Sequence, residues 1–236
     1  MTGAAERVGV VLPAGGAGSR MAEAGAPSKQ FRDLGGAPVW VQTLRAFARH
    51  PDVGPAVVVV PAGEEAAARD ALGAFGLAAA VATGGATRQA SVRNGVRALP
   101  EAVDLVLVHD AVRPFVPRSV IATVILEARA HGAAAAAVPV ADTLRQGGAG
   151  PLFGATVDRD GLWAMQTPQA ARRDWLFRAA ANAAGVVATD EVGLLQHAGY
   201  AVRIVPGDAR NVKLTRPADA RLAEALWPGW QAEEGA

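Results

Sequence analysis

Short, uninterrupted apolar runs punctuate this chain at residues 8–12, 56–60, 105–108 and 133–138. Apolar runs of this length, bounded by turn formers, predict strands buried on both faces. Weaker runs at 78–82 and 201–205 are read the same way. Between them, helical patterning covers 39–49, 64–75, 88–99, 118–131, 172–184, 190–197 and 217–226. Strand and helix in alternation predict parallel βαβ units, and therefore functional loops at the C-terminal ends of the strands. The rhythm stops between Pro139 and Thr167. Segments 142–145 and 155–159 flank the turn Gly147-Gly148-Ala149-Gly150, which predicts a hairpin arm projecting from the sheet. The tail from Gly229 to Ala236 is expected to fray. No repeat or linker divides residues 1–236, so the reading is a single domain.

Composition narrows the class. A chain of 236 residues that is 51% hydrophobic can bury a full core. The formal net charge of +1 carries no polyelectrolyte signal, which argues against a nucleic-acid partner. No apolar run reaches the ~18 residues of a membrane helix, and no secretory leader pattern opens the chain. With no cysteine there is neither a disulfide nor a thiolate metal site, as fits a cytoplasmic protein.

The first apolar run breaks at Pro13 into a loop with Ala14, Gly15, Gly16 and Gly18, closed by Arg20 and followed by Lys29. Glycines after a strand let backbone N–H groups approach phosphate oxygens, and the two cations add fixed positive charge. Neither standard glycine fingerprint fits: Gly18-Ser19-Arg20 lacks the P-loop ending, and Met21 replaces the third glycine of G-x-G-x-x-G. The loop reads as a polyphosphate cradle of another kind.

A second glycine turn, Gly84-Gly85, leads into a helix carrying Arg88 and Ser91. Taken alone it is an ordinary helix start, though its N–H groups and Ser91 could read a base edge and Arg88 could brace the loop. His109-Asp110-Ala111-Val112-Arg113 follows a central strand, where a carboxylate is placed to hold a phosphate-bound Mg²⁺. His109, a lone imidazole beside an acid, reads as structural. Thr189-Asp190-Glu191 reads as a capped helix start. Lys213 gains weight only in the company of the other cations. No nucleophile elbow or metal-spaced histidine pair occurs.

In order along the chain, LPAGGAGSR…KQF, GGATRQASVRNG, HDAVRP, ADTLR, TVDRDGLWAMQTPQ, TDE and NVKLTRPAD resemble the 2-C-methyl-D-erythritol 4-phosphate cytidylyltransferase family over residues 6–226. The resemblance implies a Rossmann-like α/β nucleotide-diphospho-sugar transferase fold with a mostly parallel sheet. It also implies a homodimer formed through the 139–167 arm. CTP would lie against Pro13, Ala14, Gly15, Gly16, Gly18, Gly85 and Ser91. Arg20, Lys29 and Lys213 would be the catalytic cations, and Asp110 would lie near the ribose and Mg²⁺. Methylerythritol phosphate would meet Arg113, Thr167, Thr189 and Lys213, with Thr143 and Arg159 from a second copy's arm. The sequence departs from the family pattern at Ser28 before Lys29, at Arg145 after Asp-Thr, and at Arg210, where an acid is common and for which Asp208 is a weak substitute. The resemblance also leads us to expect no fused cyclase after the last helix. The alternatives are a ribitol-5-phosphate cytidylyltransferase and a catalytically silent CTP-binding protein.

Overall fold

The computed structural model describes residues 7–15, 31–183 and 188–235. The expectations for Gly16, Gly18, Arg20 and Lys29 lie outside the described residues. The central sheet has seven strands in the order β11-β7-β10-β6-β1-β4-β5. These are β1 (Val8–Pro13), β4 (Val53–Val60), β5 (Ala80–Thr83), β6 (Leu105–Val108), β7 (Ala133–Pro139), β10 (Trp163–Arg172) and β11 (Arg203–Pro206). Two-stranded ribbons are made by β2 (Asp33–Leu34) with β3 (Ala37–Pro38) and by β8 (Leu144–Gly147) with β9 (Phe153–Val157).

Alternation along the buried strands divides the core. From β1, Val10 and Leu12 join Trp40, Leu44 and Phe47 of α1 (Val39–Ala48), Leu72 of α2 (Glu65–Ala74), and Ile121 and Ile125 of α4 (Arg118–His131). Val11 faces the other way, onto Val92 and Val96 of α3 (Arg88–Ala98), Leu176 of α5 (Arg173–Asn182) and Leu195 of α6 (Glu191–His197). Each such buried side chain contributes roughly 1.5–3 kcal/mol. At the C-cap of α4, Gly132 adopts φ +89 and lies under the Trp175 ring. A side chain there would be strained by the backbone and would clash with the indole.

The sheet is mostly parallel, as the alternation predicts, but β10 is antiparallel to both neighbours: Gln169 pairs with Val108 of β6 and with Ala135 of β7. This strand corrects the reading of 139–167 as one arm. Trp163 pairs with Pro139 in the main sheet, so the projecting part is narrower and carries the β8–β9 ribbon. Pro168 hid the strand, because proline cannot donate to a ladder. The structure accommodates it where the β10–β7 register slips, between Met165 and Gln169.

A second correction concerns the tail. Helix α7 (Pro217–Glu234) runs past the expected end at Leu226, because Trp230 is buried against Phe115, with ring centroids 5.5 Å apart and edge to face. Glu233 is bound by Arg210 at 2.6 Å. Among the described residues no helix is long and apolar enough to cross a membrane.

Candidate active site

The topology gathers the chemistry at one end of the sheet. Parallel strands β1, β4, β5 and β6 deliver their C-terminal ends there, with Ala14, Pro61, Gly84 and Asp110. Running the other way, β10 overhangs that end with its earlier residues, Gln166 and Thr167. Strand β11, parallel to β7, leads into the segment carrying Asn211 and Lys213.

Asp110 is the charged centre. Its Oδ2 accepts from Lys213 Nζ at 2.9 Å and from Arg113 Nε at 3.2 Å, while Arg88 lies 3.7 Å from Oδ1. Burial alone would push this carboxyl up, but Lys213, Arg88 and Arg113 together hold it well below the usual carboxylate range. The aspartate is therefore ionised at any working pH.

The backbone around this centre is held by buried polar groups. The Asp110 N–H donates to Thr167 Oγ1 at 3.1 Å, and Thr167 Oγ1 lies 3.0 Å from His109 Nδ1. His109 Nε2 lies 3.0 Å from the Arg113 carbonyl, which can only accept. Nε2 must carry the proton, so neutral His109 accepts at Nδ1 from the threonine hydroxyl. Burial pushes the His109 imidazole down to about 4. Asn211, fully buried, donates to the Thr167 carbonyl at 2.7 Å, and Arg113 Nη1 donates to the Asn211 carbonyl at 2.6 Å. Lys213 is thus carried on a pinned segment, although its own side chain is partly exposed.

On the nucleotide side, Ala14 N–H donates to Val59 O at 2.7 Å and Gly84 N–H to Val60 O at 2.7 Å, which ties the residues leaving β1 and β5 to β4. Ser91 Oγ accepts from Gly85 N–H and donates to Thr87 O, each at 3.0 Å. A methyl group on Gly85 would collide with Ala90, so the turn is closed as well as braced. Thr87 caps α3 by accepting from Ala90 N–H.

An open depression brings together Arg88, Asp110, Arg113, Thr167, Thr189 and Lys213, floored by Gln166 and Gln169. Thr143 and Arg159 do not line it; both stand exposed on the arm, where Arg159 donates to the Ala141 carbonyl. Asp208 is taken up by Arg210 at 3.0 Å, so it supplies no free second carboxylate. Sequence reasoning did not assign Gln166, Gln169, Asn211 or Glu191 to the site. All four are buried polar residues whose burial no local pattern signals.

No group of three His, Cys, Asp or Glu able to hold an ion by itself occurs among the described residues. Mg²⁺ uses one carboxylate completed by phosphate oxygens with nucleotides, and Asp110 Oδ1, which Arg88 approaches only to 3.7 Å, is the oxygen that fits such an ion, while Oδ2 is held by Lys213 and Arg113.

The family model of 2-C-methyl-D-erythritol 4-phosphate cytidylyltransferase matches residues 8–228. A cytidylyltransferase of that name from Salinibacter ruber is 51% identical over 94% of this chain and 93% of its own. Another from Deinococcus radiodurans is 43% identical over 97% of this chain and 95% of its own. The crystal structure of 2-C-methyl-D-erythritol 4-phosphate cytidylyltransferase from Thermus thermophilus superposes with a TM-score of 0.78 at 36% identity, covering 94% of this chain and 99% of that one. These matches do not favour a ribitol-phosphate enzyme or a silent binding protein. By sequence and by fold, the chain belongs to the 2-C-methyl-D-erythritol 4-phosphate cytidylyltransferase family.

Proposed function

We propose that the depression around Asp110 is where this chain carries out its family's reaction, the transfer of a cytidylyl group from CTP to 2-C-methyl-D-erythritol 4-phosphate. An acceptor phosphate oxygen attacks the α-phosphorus of CTP, and pyrophosphate leaves in line. The acceptor oxygen is already ionised and needs no general base. What the site must supply is positioning and charge neutralisation between two anions. The observation carrying this reading is the pair of cations, Arg113 and Lys213, gathered about one ionised aspartate.

Lys213 and Arg113 receive the acceptor phosphate beside Thr167 and Thr189. The Ala14–Gly15 and Gly84–Gly85 turns, with Ser91, hold the cytidine. By resemblance Arg20 and Lys29 act on the triphosphate. Asp110 would hold Mg²⁺, which when bound supplies positive charge to the phosphate oxygens. A homodimer, in which a second copy's arm brings Thr143 and Arg159 to the acceptor, completes the reading. The absence of cysteine supports a cytoplasmic setting.

The test is pyrophosphate release from CTP with Mg²⁺ and either 2-C-methyl-D-erythritol 4-phosphate or D-ribitol 5-phosphate. Release is expected with the first acceptor, falling by about 10²–10³-fold in Lys213→Ala, the usual cost of one preorganised donor. Near-normal turnover in that variant would overturn the role of Lys213, and preference for ribitol phosphate would overturn the acceptor.

A further inference from the structure

The residue joining the two halves of the depression is Arg88. Arg88 opens α3, directly after the Gly84–Thr87 turn, so its backbone moves with the nucleotide side. Its guanidinium spans 103 positions of sequence to Glu191, with Nη1 2.8 Å from Oε1 and Nη2 3.0 Å from Oε2. This is a bidentate fork, the geometry that fixes direction as well as distance.

Glu191 is equally bound to the acceptor side. It is the first residue of α6, two places after Thr189, and its N–H donates to Gln169 Oε1 at 2.9 Å. Neighbouring Asp190 caps the same helix by accepting from Gly193 N–H at 2.9 Å. The Glu191 side chain is 4% exposed, and among the described residues Arg88 is the only cation paired with it. Removing one partner of such a pair strands a buried charge. Arg88 is therefore not free to swing out onto a phosphate in the way that a solvated arginine can. Its Nη2 also lies 3.7 Å from Asp110 Oδ1, so the guanidinium faces the carboxylate that Lys213 and Arg113 share.

We propose that Arg88 is a positioning residue that couples the nucleotide and acceptor halves, so that filling either half tightens binding in the other. The inference rests on the assignment of those halves made above. The braced Gly84–Thr87 turn carries Arg88 and the fork joins it rigidly to Glu191, so a displacement of either segment by its ligand is passed to the other. Coupling between sites typically spans about five- to 150-fold in affinity and is reciprocal.

Titration calorimetry with α,β-methylene CTP, with and without 2-C-methyl-D-erythritol 4-phosphate, reads this directly. In the wild-type enzyme the acceptor is expected to tighten nucleotide analogue binding at least about fivefold. Arg88→Met alone strands Glu191, so the informative variant is Arg88→Met with Glu191→Leu, since apolar replacement of a buried pair is usually tolerated. This double variant is expected to melt near the wild type and to bind the analogue alone within about threefold. Tightening by the acceptor should disappear, with KM for the acceptor rising more than kcat falls. Arg88→Lys keeps the charge but loses the fork, and should lose most of the coupling while staying folded. An active wild-type enzyme with no tightening would overturn the proposal while leaving the reaction assignment intact. So would a folded double variant with coupling retained or, if the double variant does not fold, retained coupling in Arg88→Lys. Absence of pyrophosphate release by the wild type would instead overturn the reaction assignment.

Discussion

His109 shows how a residue outside the chemistry can set its geometry. With its proton on Nε2 facing the Arg113 carbonyl, the imidazole turns the Thr167 hydroxyl hydrogen toward Nδ1. That leaves the threonine oxygen to accept from the Asp110 N–H. Burial lowers the His109 pKa to about 4 from its ordinary 6.5, so the unfolded chain takes up this proton first as the pH falls. The contribution of His109 is therefore expected to be full above about pH 6.5 and to fall by about 3 kcal/mol as the pH drops to about 4. Asp110 has the opposite arrangement of charge. Its depressed carboxyl keeps its contribution down to the ordinary aspartate range near pH 4, and loses it only below that. The two windows therefore separate. Thermal melts of metal-free protein between pH 7 and 4 should show the slope in the wild type and a flatter curve in His109→Gln, which keeps a donor and an acceptor without titrating in that range. An unchanged slope in the variant would remove His109 as its source.

Among the elements, α7 ties together segments distant in sequence. Its last turns place Trp230 between the Phe115 ring and the Arg210 guanidinium, 5.2 Å from the indole. Glu234 accepts from the Arg118 N–H at the start of α4, and the Gly235 carbonyl accepts from Arg49. Arg210 itself is forked onto Asp208, just before the buried Asn211 that ties the Lys213 segment to β10. Arg210, a departure from the expected family pattern, thus serves the packing of the final helix. Trp230→Ala is expected to cost about 3–5 kcal/mol, as for a large buried aromatic, measured by denaturant unfolding. A loss under about 1 kcal/mol would mean that the end of α7 adds little to the fold. The helix was legible only in its first half, since Pro228 and Gly229 look like a stop and the partners that override them lie in distant segments. Strand β10 was hidden for a related reason, because Pro168 counts against a central strand unless the register slips there.

For the whole molecule, the surface of the arm points to how it is used. Leu152 and Phe153 at its tip are large apolar side chains left 68% and 84% exposed. Thr143 and Arg159 stand on the same projection, away from the depression of their own chain. If a second copy docks there, Leu152→Asp with Phe153→Asp should shift sedimentation from dimer to monomer. Turnover with the acceptor should fall by roughly 10²-fold as the arm's donors are withdrawn. A dimer that persists with full activity would rule out the tip as a contact.

Legible in the amino-acid sequence alone were the short buried strands, the alternation that makes a mostly parallel sheet, the Gly84–Gly85 turn and the order of motifs that marks the family. These rest on local periodicity and short-range backbone chemistry, which each segment carries within itself. Only the tertiary structure decided that β10 runs antiparallel through the sheet, that Asn211 and Thr167 are one buried unit, and that Arg88 belongs to Glu191. Such pairings join residues 44 and 103 positions apart. Their strength comes from burial, and burial exists only once the sheet has brought the distant segments to the same end.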